Sequence, residues 1–428
     1  MAAAAAVDGH RSPHSLLIIE NLCGKSRGGE ISMYEKEMKK LMKLYEDGIF
    51  SQPFYADKIA GAQDFESYEN FSKIPFMYKD DLRNTKPFDR TSATTKDVYG
   101  IFSSSGTTGS KTFYVYSKKD KKVYNEFVKA FYSELGVNER DLGGVFAPVD
   151  TGVMAHSMMW QFTTMGSGYV NCPEPSPDNM IDFVEALPIT IIATRPSVVC
   201  SIADNPQYVK SAGESNVRML LLGGGFLTEG RRKFIEKMWG ASCYSMFGMS
   251  EVFGPMAGEC RYQDGLHYLD KYLLIEVLDP VTHMPVEPGE YGVAVYTTLW
   301  DKGFPILRYW TDDYIAVDTS PCRCGRDLPR FRYKGRLADC LEIKGQYVFP
   351  RMLEECLFRY GFEGEYRAVQ GKGNRIKVVL EKRDGYSVSP GMKKEIDELF
   401  MNEVAIEFVP KEKLAYDGHA IRFIKENG

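Results

Sequence analysis

The chain reads as an α/β protein: a large N-terminal domain of mixed sheets with covering helices and a β-rich subdomain, then a small C-terminal α+β domain. Three observations predict this. Between residues 142 and 222, short apolar runs alternate with helix-length amphipathic stretches, the pattern of a sheet covered on both faces. After Cys260 the texture turns β-rich. Beyond a break at residues 335–339, the last 90 or so residues carry their own strands and helices, enough for a separate domain, so the expected division is 1–336 and 337–428.

The 428 residues are 44% apolar, sufficient for a sizeable core. A net charge of −5 gives no bulk electrostatic grip on nucleic acid or an anionic membrane. No apolar run reaches membrane-spanning length. The alanine-rich start is a poor signal peptide, followed as it is by Asp8, His10 and Arg11. Nine scattered cysteines, an odd number, point to a reducing, cytoplasmic compartment.

In chain order, Ser32-x-x-Glu35 is a capping-box pattern, and Met38, Leu41, Met42 and Tyr45 continue at helical spacing. Pro75 leads an extended segment into a charged helix start at residues 79–83. The run Ser103-Ser104-Ser105-Gly106-Thr107-Thr108-Gly109-Ser110-Lys111-Thr112 lies between two strand-like segments. Its glycines and hydroxyls suit either a polar turn or an anion-binding loop. It is not a Walker A loop, because two residues rather than four separate Gly106 and Gly109. A helix is expected over 121–135. Strands follow at 144–148, 169–172, 190–194 and 217–222, with helices at 156–164 and 179–187. The last of these strands runs into Gly223-Gly224-Gly225, and ligands bind where strands of such sheets end. Residues 242–245 form another strand, leading to Phe247-Gly248-Met249-Ser250-Glu251. Strands are expected at 272–278, 292–298 and 314–317. The tail should hold a helix from Pro350 to Tyr360, strands at 366–369, 376–381 and 406–409, and a helix over 390–404.

Read together, these landmarks stand in one order: the loop at 103–112, the glycines at 223–225, Phe247 to Glu251, Arg308-Tyr309-Trp310-Thr311-Asp312-Asp313 and Gly335-Arg336-Leu337-Ala338-Asp339. That order resembles the adenylate-forming acyl ligases, most closely the phenylacetate–CoA ligase group. The likeness extends over nearly the whole chain, including Pro53-Phe54-Tyr55, Asp80-Asp81-Leu82-Arg83, Gly254-Pro255, Gly258-Glu259-Cys260 and Gly345 to Pro350.

The resemblance implies ATP, Mg²⁺ and CoA, or a carrier-protein phosphopantetheine in place of CoA. Ser104, Ser105, Gly106, Thr107, Thr108 and Gly109 would embrace the β- and γ-phosphates. Gly223, Gly224 and Gly225 would leave room for adenine, with Phe247, beside Gly248, stacking on its ring where the family often has Tyr. Ser250 would touch the α-phosphate and Glu251 hold Mg²⁺. Asp313 would accept the ribose hydroxyls, and Arg336 would reach ribose or phosphate. Residues 335–339 match the hinge on which the family's mobile C-terminal domain turns, although Ala338 replaces the first of two usual acids. His419 falls where the family places a lysine that stabilises charge between carboxylate and α-phosphate. Histidine is shorter and only fractionally charged near neutral pH. Read instead as a surface residue, His419 carries no such role.

Cys260-x6-His267 and the Pro-Cys322-x-Cys324-Gly knuckle make a Cys₃His set suited to a closed, structural Zn²⁺ site. Packing of four reduced residues without metal is the alternative. By position, the 147–154 stretch with His156, Met158 and Trp160 would line an acyl pocket for a small aryl acid, although the same residues would also make an ordinary core helix. The leading expectation is therefore an AMP-forming acid–thiol ligase that acts on small molecules. Transfer to an acyl carrier protein or an amine is an alternative. His419 and Ala338 leave a non-adenylating acyltransferase or binding scaffold as a third reading. A homodimer is a family-level expectation only.

Overall fold

The computed structural model describes residues 34–104, 111–150, 152–414 and 422–425. Helix α1 (Glu35–Glu46) buries Met38 and Leu41, as the spacing predicts, together with Leu44, while Met42 and Tyr45 are half-buried. Its N-cap is Tyr34, and Ser32 lies outside the described residues. Strands β1 (Val98–Ser103) and β2 (Phe113–Ser117) pair antiparallel with Ser103 opposite Phe113, so the glycine–hydroxyl run joins two paired strands. Helix α2 (Lys118–Tyr132) starts three residues earlier than its apolar spacing suggests. The cause is a reciprocal cap: Ser117 Oγ accepts from the Asp120 N–H at 3.1 Å, and the Asp120 carboxylate accepts from the Ser117 N–H at 2.7 Å.

The alternating region follows as β3 (Leu142–Phe146), α3 (Val153–Thr164), β4 (Gly168–Cys172), α4 (Pro177–Ala186) and β5 (Ile191–Thr194). Then come α5 (Pro196–Cys200), α6 (Pro206–Glu214), β6 (Met219–Leu222), α7 (Glu229–Trp239) and β7 (Ser242–Met249). The antiparallel region comprises β8 (Phe253–Glu259), β9 (Leu266–Tyr268), β10 (Leu273–Leu278), β11 (Gly292–Thr298), β12 (Tyr309–Asp318) and β13 (Arg330–Arg336).

Strands β3 to β13 form one sheet in the order β10-β11-β12-β13-β9-β8-β7-β6-β5-β3-β4. The β-rich region is thus continuous with the parallel one, and β7 joins them. Its first half, Ser242 to Ser245, pairs parallel with β6, and its second half, from Met246, pairs antiparallel with β8. Eight residues let one strand serve both. Alternation places the parallel half between two cores. Val145, Ile191, Ala193, Met219 and Leu221 face the main cluster, whereas Phe146, Ile192, Leu220 and Leu222 face a second one with Ile235 and Trp239 of α7.

Two buried ionic contacts fix the frame around the site. The Arg308 guanidinium grips Glu276 of β10 by two bonds, Nε to Oε2 at 3.1 Å and Nη2 to Oε1 at 3.0 Å. It also donates to the carbonyls of Ser72 and Ile74, and Tyr68 donates to Glu276 at 3.1 Å. Arg308 sits at φ +47° immediately before β12, so this knot sets where β12 begins.

Past Arg336 the chain makes β14 (Leu341–Ile343), β15 (Gln346–Val348), α8 (Pro350–Arg359), β16 (Tyr366–Gln370) and β17 (Ile376–Glu381), then α9 (Pro390–Leu399), β18 (Ala405–Val409) and β19 (Phe423–Lys425). The last four strands form a sheet of order β18-β17-β16-β19 over its own core, which includes Leu353, Leu357, Met392 and Ile396. Helix α9 stops five residues short of the expected Val404, because Met401 takes the left-handed conformation at φ +49°. The second ionic contact joins this unit to α7. The fully buried Glu354 accepts from Thr228 at 2.9 Å, Arg231 at 2.6 Å and Tyr366 at 3.2 Å. Among the described residues no helix is long and apolar enough to cross a membrane.

Removing one partner of a buried, hydrogen-bonded pair leaves an uncompensated charge. Glu276→Ala should therefore destabilise the chain by about 3–5 kcal/mol, read as a lowered urea midpoint. A change below about 0.5 kcal/mol would mean the knot does not support the sheet.

Candidate active site

The C-terminal ends of the parallel strands β3 to β7 lie along one edge of the sheet. The chain leaves β3 for β4 on one side and resumes at β5 on the other, so a topological switch point lies between β3 and β5. Gly223–Gly225 follow β6 beside this point. A Cβ on Gly223 would lie 3.1 Å from the Met246 carbonyl, and one on Gly224, at φ +71°, would lie 3.1 Å from Met154 Sδ. Gly248 is more constrained still: a Cβ there would stand 2.6 Å from Gly254 Cα. Glycine is required at Gly248 by this close approach and favoured at Gly224 by its left-handed conformation, and at Gly223 a side chain would be tight.

The turn between β7 and β8 carries Ser250 and Glu251. Glu251 is buried, and its Oε1 accepts from Tyr114 of β2 at 3.0 Å and from Tyr309 of β12 at 3.1 Å. Burial raises both phenols above their ordinary values and the neighbouring carboxylate adds to this, so they remain donors. Tyr116, also on β2, donates to the Ser250 carbonyl at 2.9 Å. Hairpin, turn and β12 therefore meet at one carboxylate. Tyr114 and Tyr116 carry no role in the sequence reading, although their period-two spacing in the predicted strand marks them as neighbours on one face.

Asp313 of β12 is buried and stands opposite Arg336 of β13, with Arg336 Nε 3.9 Å from its Oδ1. Burial pushes the Asp313 carboxyl up to about 7; Arg336 pulls against this and Glu251 adds to it. Phe247 packs by its edge on Phe331 at 5.3 Å and at a tilt on Tyr333 at 5.6 Å, the rings of β13. The mouth of the glycine–hydroxyl run is closed by Ser104, whose N–H donates to the Thr112 carbonyl at 2.9 Å and whose Oγ accepts from the Thr112 N–H at 3.2 Å. Ser105, Gly106, Thr107, Thr108, Gly109 and His419 lie outside the described residues.

Of the three expected acyl-pocket residues, His156 and Trp160 meet on Phe102, with their rings 6.4 Å apart. Met158 is buried in the main core. Trp160 packs edge-on against Tyr99 at 4.8 Å and Phe102 at 5.5 Å, with the Lys121 ammonium 4.4 Å above its ring. His156 has Nε2 3.3 Å from the Asp150 carbonyl and lies beside Phe102. The α3 residue set against the triple glycine is Met154.

Cys260, His267, Cys322 and Cys324 come together, with all four ligand atoms within 4.8 Å of one another. Cys260 Sγ and Cys322 Sγ are 3.8 Å apart, and Cys324 Sγ is 3.7 Å from His267 Nε2. Bonds of about 2.0–2.3 Å to a tetrahedral ion set its ligands roughly 3.5–3.8 Å apart, so the spacing suits zinc. His267 Nδ1 lies 3.1 Å from the Leu328 carbonyl; with its proton donated there, Nε2 presents a lone pair to the ion. Among the described residues the cysteines are free thiols.

A family model described as AMP-binding enzyme matches residues 32–296. The chain belongs to that family. The phenylacetate-coenzyme A ligase of Thermus thermophilus is 28% identical over 412 residues, covering 91% of this chain and 87% of that protein. The Escherichia coli protein of the same name is 27% identical over 319 residues, 72% of each chain. A crystal structure of 2-hydroxyisobutyryl-CoA ligase in the postadenylation state, with R3-HIB-AMP bound, superposes with a TM-score of 0.78 at 18% identity, covering 91% of this chain and 88% of that one. The protein is an adenylate-forming ligase of the phenylacetate–CoA ligase-like kind, and its mixed α/β fold matches theirs.

Asp313 gives this site a signed pH dependence. Its carboxyl rises from an ordinary 3.8 to about 7 on folding, so between those values the folded chain holds a proton that the unfolded chain releases. Its stabilising contribution is complete below the lower value and is lost as pH rises to the upper one. The thermal midpoint of the nucleotide-free chain should therefore fall over this window less steeply in Asp313→Asn than in the parent. Identical slopes would show that Asp313 titrates normally.

Proposed function

We propose that this ligase condenses a small aryl carboxylic acid with ATP to an acyl-adenylate, releasing pyrophosphate. It then passes the acyl group to CoA, releasing AMP. The observation that carries this reading is the buried Glu251 carboxylate, clamped between Tyr114 and Tyr309 next to the strand ends. Bringing a carboxylate onto a triphosphate sets two anions against each other, so the site must supply cationic charge and hold both partners still.

In this reading Glu251 holds Mg²⁺, a hard cation that prefers oxygen ligands, and the two tyrosines fix its orientation. When bound, the ion neutralises phosphate charge. Ser250 meets the α-phosphate, and Ser104 with residues 105–109, Thr107 and Thr108 among them, receives the β- and γ-phosphates. Adenine lies along Gly223–Gly225 with Phe247 and Gly248 beside it, and Asp313 and Arg336 take the ribose. A deprotonated Asp313 is the better acceptor for two hydroxyls, so nucleotide binding strengthens as pH rises through about 7. The aryl class is supported by the apolar, aromatic character of α3 and its neighbours. His419, in the place of a lysine, predicts a slow first half-reaction. Residues 337–428 act as a lid domain that turns at the 335–339 segment. The Cys₃His set holds a structural Zn²⁺ that ties the end of β8 and β9 to the β12–β13 connection, with no part in the chemistry.

Carboxylate-dependent pyrophosphate exchange over a panel of aryl acids tests the reaction. At least one acid should give signal, and Glu251→Ala should lower it about 100-fold or more. Silence with every acid, together with acyl transfer from preformed aryl-CoA, would instead establish an acyltransferase. For zinc, protein purified without chelator should carry about one equivalent, and Cys322→Ser should lose the metal and lower Tm. Less than about half an equivalent removes the zinc assignment.

A further inference from the structure

The connection between β11 and β12 carries a lysine into the core. Lys302 is fully buried, and its Nζ has no hydrogen-bond partner among the described residues. Its surroundings are aromatic instead: Nζ lies 5.3 Å from the centre of the Tyr116 ring and 5.5 Å from that of Phe304. The Arg90 guanidinium also packs on Phe304, 4.9 Å from the ring centre.

The backbone here is pinned on both sides of the lysine. Its N–H donates to the Trp300 carbonyl at 2.7 Å, and its carbonyl accepts from Ser92 Oγ at 3.2 Å. Asp301 reaches the surface and pairs with Lys119, whereas the next side chain turns inward. The Asp120 carboxylate accepts from the Ser117 and Gly303 N–H groups and from Trp300 Nε1, and makes no bond to the ammonium. Burial lowers the Lys302 pKa; Asp120 and Glu251 oppose this and Arg90 adds to it.

An ammonium taken out of water without a bonded acceptor is costly, and an apolar side chain of similar length avoids that cost. A cation over an aromatic face offsets part of it, the more so where water is excluded. One of the two rings bears on the site. The Tyr116 hydroxyl donates to the Ser250 carbonyl at 2.9 Å, on the turn that carries Ser250 and Glu251. Tyr114, two positions earlier on the same strand, donates to Glu251 itself. Lys302 thus stands one ring away from the turn that presents both residues.

We infer that Lys302 is a positioning residue: its ammonium fixes the Tyr116 ring, and the Tyr116–Ser250 bond then holds the Ser250–Glu251 turn in the form that the activation step needs. This inference rests on the acyl-activating reading and adds to it a group that touches neither acid nor nucleotide.

Hydrogen–deuterium exchange of the nucleotide-free full chain, read on peptides covering residues 246–254, tests the coupling independently of activity. Lys302→Met and Tyr116→Phe should each speed exchange there about tenfold, and the double variant should be no faster than the faster single one. In pyrophosphate exchange, both single variants should lower kcat about tenfold while KM for ATP changes less than about twofold. Lys302→Gln is a second neutral variant with the same expectations. Because each removes a buried charge, Tm should not fall. Unchanged exchange over 246–254, additive effects of Lys302→Met and Tyr116→Phe, or an unchanged kcat overturns the inference. So does failure of both neutral variants to fold, or a Tm lowered in both by more than about 5 °C, since the lysine is then structural alone. Failure of the ligase reading is seen separately, as a parent chain silent in pyrophosphate exchange with every acid while the coupling over 246–254 stands.

Discussion

A carboxylate buried from water has to find donors inside the fold, and Glu251 finds them on two strands that reach it from opposite directions in the sequence. Tyr114 precedes it by 137 positions and Tyr309 follows it by 58. Meeting both requires the β1–β2 hairpin, the β7–β8 turn and β12 to be in register at one point. The rest of the N-terminal region holds that register. Arg308 and Glu276 set the start of β12. Asp120 ties the hairpin's exit to the β11–β12 connection by accepting from Trp300 Nε1 at 2.8 Å and from the Gly303 N–H at 3.1 Å. A site held from this many directions needs little reorganisation when charge arrives, which is how a preorganised polar site gains its strength.

Strand β7 joins the parallel and antiparallel parts of the sheet. Its parallel half carries the α/β architecture, whose strand ends and switch point form the floor. Its antiparallel half delivers Ser250 and Glu251 to the same edge and passes the chain on to the region that supplies Asp313 and Arg336. Glu259 of β8 secures this junction, accepting from Arg232 of α7 and from the Ser245 N–H, each at 2.6 Å. Gly223, Ser250, Glu251, Asp313 and Arg336 therefore lie on, or directly after, strands of one continuous sheet.

The C-terminal unit is bound to this frame more firmly than its separate core would suggest. Glu354 is fully buried and held by groups from both sides of the boundary, while Arg383 and Lys411 reach Asp204 at the surface. Any turning of this unit about residues 335–339 would have to break the Glu354 contacts with Thr228 and Arg231. The exposed pairs contribute little by comparison, because water screens them.

Much of the architecture was legible from local pattern. Apolar runs alternating with amphipathic stretches located β3 to β6 with helices α3 and α4, though not α5 and α6, the order of short motifs pointed to the ligase family, and the Cys₃His spacing identified a set that the fold does assemble. Helix α7 and strands β8 and β13 went unread: α7 is rich in charge, and β8 carries glycines and a proline that imitate a loop. By itself the sequence determined periodicity, caps and turn chemistry, since each is settled within a few residues by backbone sterics and hydrogen bonding. Only the tertiary structure decided that the β-rich half continues the parallel sheet, that two tyrosines hold Glu251, that Trp160 packs under Lys121, and that Lys302 is buried against Tyr116. Those facts depend on strand order and burial, which bring together residues whose separation along the chain carries no local signal.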